Sequence, residues 1–147
     1  MRSQLVPRRT IRIAVSAVAW FNLLSALAGM VGLTLGGGLG FPLEWIEGSG
    51  FTSYFWPGII LGVLVGGSQT LALIAQYGRF ALAWALHAAA GLIMMIWIFV
   101  EIAMMLEWSP LQGIYFATGL IQTVLAVLAL GAWPTPFLRR KAKVPPL

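Results

Sequence analysis

The run from Phe80 to Leu106, FALAWALHAAAGLIMMIWIFVEIAMML, decides the fold of this chain. It is apolar except at His87 and Glu101, and a helix of about 20 apolar residues is long enough to cross the hydrocarbon core of a bilayer. A charged group at that depth costs at least about 2.5–3.5 kcal/mol. Glu101 therefore persists there only if it is paired, protonated or hydrated, which makes it the first candidate for a functional residue.

The composition of the whole chain is that of a membrane protein. Sixty per cent of the residues are hydrophobic and only 9% are charged, and the mean hydropathy is +0.91, which is far from the balance of water-soluble domains. The chain has no cysteine. Disulfides, thiolate catalysis and cysteine-ligated metals are therefore excluded.

Four apolar runs predict four transmembrane helices in a single membrane domain over residues 1–147. Their approximate bounds are 11–35, 57–77, 79–106 and 110–133. The predicted fold is thus all-α, an integral membrane four-helix bundle, since each run meets the length of a tilted spanning helix. Ser109 and Gln112 have the spacing of a capping box before the last helix, and Gly78 is predicted to end the second helix in the left-handed conformation.

The distribution of positive charge predicts the topology. Eight of the nine lysines and arginines lie in or next to basic tails at residues 1–10 and 134–147, and the ninth, Arg79, lies in the short second connection. Because cytoplasmic segments carry the excess of Lys and Arg, both termini are predicted to be cytoplasmic. These cations flank membrane segments, so anionic lipids rather than nucleic acid are the expected partner.

The first connection, residues 36–56, is the long one. It opens with three glycines, and residues 42–48 are predicted to form a short interfacial helix. An aromatic cluster follows before the second spanning helix. With both termini inside, this segment is an outer loop, either an interfacial anchor that caps the bundle or a functional loop.

Small residues indicate which helix faces pack together, because helices in lipid associate through close backbone approach and interhelical hydrogen bonds. Gly58, Gly62 and Gly66 repeat every four residues, so that they share one face. They are predicted to form a helix-packing surface.

Polar residues inside the spans predict a polar seam. Asn22, Gln69 and Gln122 fall near the bilayer centre at a rise of ~1.5 Å per residue, and hydrogen bonds between helices worth ~0.6 kcal/mol each are their simplest role. Glu101 is either a structural anchor that accepts hydrogen bonds from Tyr54, Tyr115, Trp97 or loop amides, or a functional carboxylate. A proton path from Glu101 to His87 would need bridging groups, since fourteen residues separate the two by ~21 Å.

Catalytic and metal chemistry find no support in the sequence. There is no second intramembrane acid to pair with Glu101, and a single histidine, His87, is too few for an ordinary zinc site. Ser-x-x-Lys and Gly-x-Ser-x-Gly arrangements are also absent. No catalytic residue, metal or cofactor is therefore predicted.

Several short patterns are shared with a known group of proteins. They are Glu47-Gly48-Ser49-Gly50-Phe51, Tyr54, Pro57-Gly58, Gly66-Gly67-Ser68 and Trp97-Ile98-Phe99-Val100-Glu101. Over most of residues 14–132 the chain resembles small four-helix bacterial integral membrane proteins. The resemblance implies the four-helix topology and a multi-pass location in the bacterial plasma (inner) membrane, but no activity. Small multidrug exporters and fluoride channels are of similar size, yet this chain differs in its long first connection and in carrying its acid on the third helix.

Two functions follow as hypotheses. The first is a non-enzymatic membrane module in which the polar seam and the outer loop bind a partner membrane protein or a lipid-like ligand. The alternative is a small oligomeric transporter or channel, in which Glu101 is the cation or proton site. The first is favoured because the spans contain few ionisable groups for ion coupling.

Overall fold

The computed structural model describes residues 8–131, which are helical apart from their connections and contain no strand. The α-helices are α1 (Arg8–Thr34), α2 (Phe55–Ile60), α3 (Gly67–Tyr77), α4 (Ala83–Met105) and α5 (Pro110–Ala129). A π-helical segment, Leu61–Gly66, joins α2 to α3 without a break. The second spanning segment is therefore continuous from Phe55 to Tyr77.

Four of these segments are long and apolar enough to cross a membrane: α1, the continuous segment Phe55–Tyr77, α4 and α5. Large apolar side chains are exposed on the outside of all four, for example Leu24, Val63, Phe99 and Ile121. This exterior is suited to lipid rather than water, because hydrocarbon solvates such side chains as well as a protein core does. Over the described residues, the prediction of an all-helical fold with four helices long and apolar enough to span a membrane is confirmed.

The turn between α3 and α4 differs from the predicted one. Gly78 has φ −73°, and it is Arg79, at φ +57°, that takes the left-handed conformation. The prediction for Gly78 is therefore wrong. A Cβ at position 78 would lie 2.8 Å from Cε2 of Phe80, so the ring of Phe80 and not the backbone angle explains glycine here. Because of this turn, α4 begins at Ala83 and not at residue 79, where its start was predicted.

The other helix ends lie within a few residues of the predicted bounds. The helix α1 begins at Arg8, three residues early, and α5 ends at Ala129. Residues 132 and 133, with which the last predicted helix closes, lie outside the described residues, as do the tail at 134–147 and residues 1–7. The connection after α1 contains two 3-10 turns, Gly37–Gly40 and Leu43–Ile46. The second is all that forms of the short helix predicted at 42–48.

Glycines bring the helices into close contact at two places. A Cβ at Gly91 of α4 would lie 2.5 Å from the carbonyl oxygen of Gly119 of α5, and a Cβ at Gly119 would lie 2.8 Å from that of Gly91. A Cβ at Gly58 would lie 2.8 Å from Cβ of Leu33 on α1. Small residues therefore set the spacing of both pairs of segments, as is usual in membranes.

The two ends of the bundle differ in charge. One end, called here the arginine end, carries Arg9 and Arg12 at the start of α1 and Arg79 after α3. The other, called the loop end, contains the connections at residues 35–54 and 106–109. The glutamates Glu44, Glu47 and Glu107 belong to the loop end.

Candidate functional site

Three amide side chains from three segments meet in the middle of the bundle. Gln69 on α3 and Gln122 on α5 exchange two hydrogen bonds, 2.8 Å from Gln122 Nε2 to Gln69 Oε1 and 3.0 Å in the other direction. Asn22 on α1 donates from Nδ2 to Gln122 Oε1 at 3.2 Å. All three side chains are fully buried. The structure thus brings together the three amides that the sequence places near the bilayer centre.

His87 on α4 belongs to the same network. Gln122 Nε2 lies 3.2 Å from His87 Nδ1, and because an amide nitrogen only donates, Nδ1 is the acceptor. His87 Nε2 contacts Gln76 Oε1, which only accepts, so Nε2 carries the proton. The hydrogen bonds therefore define a neutral imidazole with its proton on Nε2.

The network continues from these residues toward both sides. Gln76 donates from Nε2 to Ser16 Oγ and to the carbonyl oxygen of Arg12, at 3.2 Å in the latter case. Thr118 Oγ1 lies 2.8 Å from Asn22 Oδ1, to which it donates. We call the set Ser16, Asn22, Gln69, Gln76, His87, Thr118 and Gln122 the central network.

The central network is closed within the chain. No buried side-chain nitrogen or oxygen among residues 8–131 lacks a hydrogen-bond partner. Hydrogen bonds of this kind between buried side chains hold the helices in one register. The geometry of the central network is that of interhelical hydrogen bonding.

Glu101 on α4 lies apart from that network, toward the loop end. Trp97 Nε1 donates to Glu101 Oε2 at 3.0 Å, and Gln112 Nε2 donates to Glu101 Oε1 at 3.1 Å. Gln112 also accepts the backbone N–H of Ser109 at 2.9 Å, as the capping-box spacing predicts. Gln112 therefore joins the start of α5 to Glu101, and the carboxylate lies beside a helix N-terminus, where negative charge is favoured.

An apolar layer separates Glu101 from the central network. It is formed by Ala26, Val65, Met94, Trp97 and Ile98. On α1 and on the second spanning segment, Ala26 and Val65 lie one turn nearer the loop end than Asn22 and Gln69. The structure therefore does not connect the carboxylate to His87 by a continuous chain of polar side chains.

Glu101 opens instead onto a cleft at the loop end, called here the loop-end cleft, with a volume of about 560 Å³. Its walls come from α1, the first connection, the start of the second spanning segment, α4, the connection that follows it and the start of α5. Apolar and aromatic side chains predominate, among them Ala28, Leu33, Phe41, Trp45, Tyr54, Leu61, Trp97, Met104, Trp108 and Tyr115. Glu101 and Glu107 provide its carboxylates. This volume is within the range of ligand pockets, ~300–1,000 Å³.

The first connection is held over this cleft by Tyr54. Its hydroxyl donates to the carbonyl oxygen of Pro42 at 2.8 Å, and its ring lies 6.1 Å, edge-on, from that of Phe41. Burial, and then the nearby charge of Glu44, raise the pKa of Tyr54. The phenol is therefore kept in the protonated form that donates to Pro42.

Four members of these sites were not among the predicted site residues: Ser16, Gln76, Gln112 and Thr118. Gln76 follows Gln69 by seven residues, so the sequence already puts both on one face, although Gln76 was not predicted as a site residue. Gln112 is recognisable as a helix cap, but its bond to Glu101 depends on how α4 and α5 meet. Thr118 carries no sequence signal of its own. Among the described residues no group of three metal-ligating His, Asp or Glu side chains occurs.

Comparison with family models, curated proteins and solved structures finds no match to the chain. The resemblance to small bacterial membrane proteins therefore stays a prediction.

Proposed function

We propose that this protein is a non-enzymatic integral membrane module that binds a lipid-like molecule in the loop-end cleft. One observation carries the proposal: a cleft of about 560 Å³ combines a mostly apolar lining with the carboxylate of Glu101. Pockets of this kind hold an apolar body while a few polar groups fix its orientation. A concave cleft of this size favours a small amphiphile over a partner helix.

The proposed topology puts both termini in the cytoplasm of a bacterium and the loop end outside the inner membrane. Arg9, Arg12 and Arg79 at the arginine end support it, because cytoplasmic ends of membrane proteins are rich in cations. The first connection would then be an outer loop at the membrane surface. The exposed Trp56 at the start of α2 and the exposed Trp108 beyond α4 suit an interfacial belt of aromatic residues.

The apolar layer weighs against ion conduction through one copy of the chain. A proton or cation leaving Glu101 would have to pass Met94, Trp97 and Ile98, all of which are buried, and hydrocarbon gives it no hydrogen-bonding partner. The transporter alternative would therefore need a path at an interface between copies. Binding in the cleft needs no such path.

Native mass spectrometry of protein extracted gently from its own membrane tests the proposal. Wild type is expected to retain a lipid-like molecule in fixed stoichiometry. Ala28→Phe, which fills the cleft from α1, is expected to lose it. Ala17→Phe is the matched control, because Ala17 is also exposed on α1 but does not line the cleft.

Equal retention by wild type and Ala28→Phe would place the lipid elsewhere and contradict the proposal. Wild type carrying no lipid, but assembling as a homo-oligomer with Glu101-dependent flux in liposomes, would favour the transporter alternative.

A further inference from the structure

We infer that the loop-end cleft selects amphiphiles with a cationic ammonium headgroup. The inference rests on the proposed function, because it specifies the ligand class of the same cleft. Three features of the cleft carry it: its charge, the free acceptor capacity of Glu101 and its aromatic walls.

The charge of the cleft is negative. Glu101 and Glu107 both line it, and the described arginine side chains, those of Arg9, Arg12 and Arg79, lie at the arginine end. Glu101 and Glu107 form no salt bridge with a described residue. Because the surroundings are apolar, a charge in the cleft is screened less than at a protein surface. An anionic headgroup is therefore repelled, and a cationic one is attracted.

Glu101 has acceptor capacity left for a ligand. Each of its carboxyl oxygens accepts one hydrogen bond from the protein, one from Trp97 and one from Gln112. A carboxylate offers about four acceptor positions in all. The two bonds therefore fix the orientation of the group and leave it able to bind a cation.

Aromatic rings form a further part of the walls. Phe41 stacks on Trp45 with 5.4 Å between the ring centroids, and Trp97, Trp108 and Tyr115 also line the cleft. Ring faces carry negative charge density and attract ammonium groups, quaternary ammonium included. The same rings and the aliphatic lining accommodate a hydrocarbon tail, so that one cleft holds both parts of a cationic amphiphile.

The test uses dodecyltrimethylammonium as the probe and, as its uncharged isostere, the hydrocarbon in which carbon replaces the quaternary nitrogen. Saturable binding to the full chain in zwitterionic lipid nanodiscs is measured by calorimetry, with empty nanodiscs subtracted. We expect one saturable site with at least tenfold preference for the cation. The preference should be lost in Glu101→Gln and should fall with added salt.

Two further variants keep the result interpretable. Glu107→Gln removes a charge that is exposed and makes no hydrogen bond among the described residues, so a smaller loss of preference is expected without any effect on the fold. Ala28→Phe should abolish saturable binding of both probes. Thermal unfolding of Glu101→Gln shows whether that variant remains folded.

The outcomes separate the two proposals. Equal saturable binding of cation and isostere would overturn the headgroup inference and leave the lipid-binding cleft standing. Tighter binding of a zwitterionic or anionic amphiphile would also overturn it. Absence of saturable binding by either probe would contradict the proposed function itself.

Discussion

The side chains of Gln69 and Gln122 form a closed amide pair, with bonds of 2.8 and 3.0 Å between α3 and α5. Gln122→Leu would leave Gln69, Asn22 and His87 without their shared partner. A buried polar group left unpaired costs ~1–3 kcal/mol. We therefore expect the free energy of unfolding of Gln122→Leu to be lower than that of wild type by about that amount. An ordinary membrane hydrogen bond is worth only ~0.6 kcal/mol. Unfolding in mixed micelles measures the difference.

The single variants Gln69→Leu and Gln122→Leu and the double variant Gln69→Leu/Gln122→Leu together form a double-mutant cycle. The double variant removes both members of the pair, so its cost should be less than the sum of the single costs, with a coupling of roughly 0.5–3 kcal/mol. Strict additivity would contradict the pairing of the two amides.

The crossing of α4 and α5 should tolerate no side chain at Gly91. A Cβ there would lie 2.5 Å from the carbonyl oxygen of Gly119 and 3.0 Å from the backbone nitrogen of Thr123, and backbone atoms cannot turn away as a side chain can. Gly91→Ala should therefore destabilise the bundle by about 1–3 kcal/mol, as overpacking does.

Gly67→Ala is the control for that substitution. No atom lies within 4 Å of a Cβ at this helical position, so alanine should be neutral or should stabilise by up to ~1 kcal/mol through its helix preference. Equal effects of the two substitutions on the unfolding free energy would show that the crossing is not tight.

His87 should be a neutral imidazole with its proton on Nε2. The chain contains one histidine, so selective ¹⁵N labelling gives a single imidazole spectrum that needs no assignment. At neutral pH we expect one protonated nitrogen, Nε2, and one unprotonated nitrogen, Nδ1. Gln122→Leu should shift mainly the Nδ1 signal, because only that nitrogen faces Gln122. A proton on Nδ1 would contradict the direction of the network.

Tyr54 should make the first connection sensitive to alkaline pH. Its pKa in the folded protein is raised, so the native state holds the phenolic proton more tightly than the unfolded state. That stabilisation is complete below the ordinary value near 10 and is lost as the pH rises through the higher folded-state value. We expect stability to fall over that window and the Tyr54-dependent part of the fall to vanish in Tyr54→Phe. If wild type and Tyr54→Phe had the same pH profile of unfolding, folding would not raise the pKa of Tyr54 and this prediction would be wrong.

The helices were predictable because each span is a long apolar run, and the meeting of Asn22, Gln69 and Gln122 follows from equal depths at a fixed rise per residue. Contacts that depend on the reach of side chains were not predictable. Along the bundle axis, the rise per residue places His87 about one helical turn from the three amides. Its ring nevertheless extends to Gln122. The bond from Gln112 to Glu101 likewise depends on the tight approach of α4 and α5, which single residues do not encode.

The first connection shows a different reason for failure. Its glycines and aromatic residues predict a surface segment, but not that Tyr54 is bound to Pro42. Such a contact closes a loop between residues twelve apart, and its geometry depends on turns that hydrophobic periodicity does not report.

The π-helical segment Leu61–Gly66 sets the rotation of α3 about the helix axis relative to α2. A turn closed by an i→i+5 bond contains one residue more than an α-helical turn, and one residue corresponds to about 100° of rotation. If this turn became α-helical at the same chain length, Gly58 would stay against α1 but Gln69 and Gln76 would be turned away from their partners, whereas deleting one residue between 61 and 66 would give an α-helix that keeps both contacts. The loss of a single codon in this stretch would thus leave the loop-end cleft and the central network in their present relation, whereas the gain of one would rotate them apart.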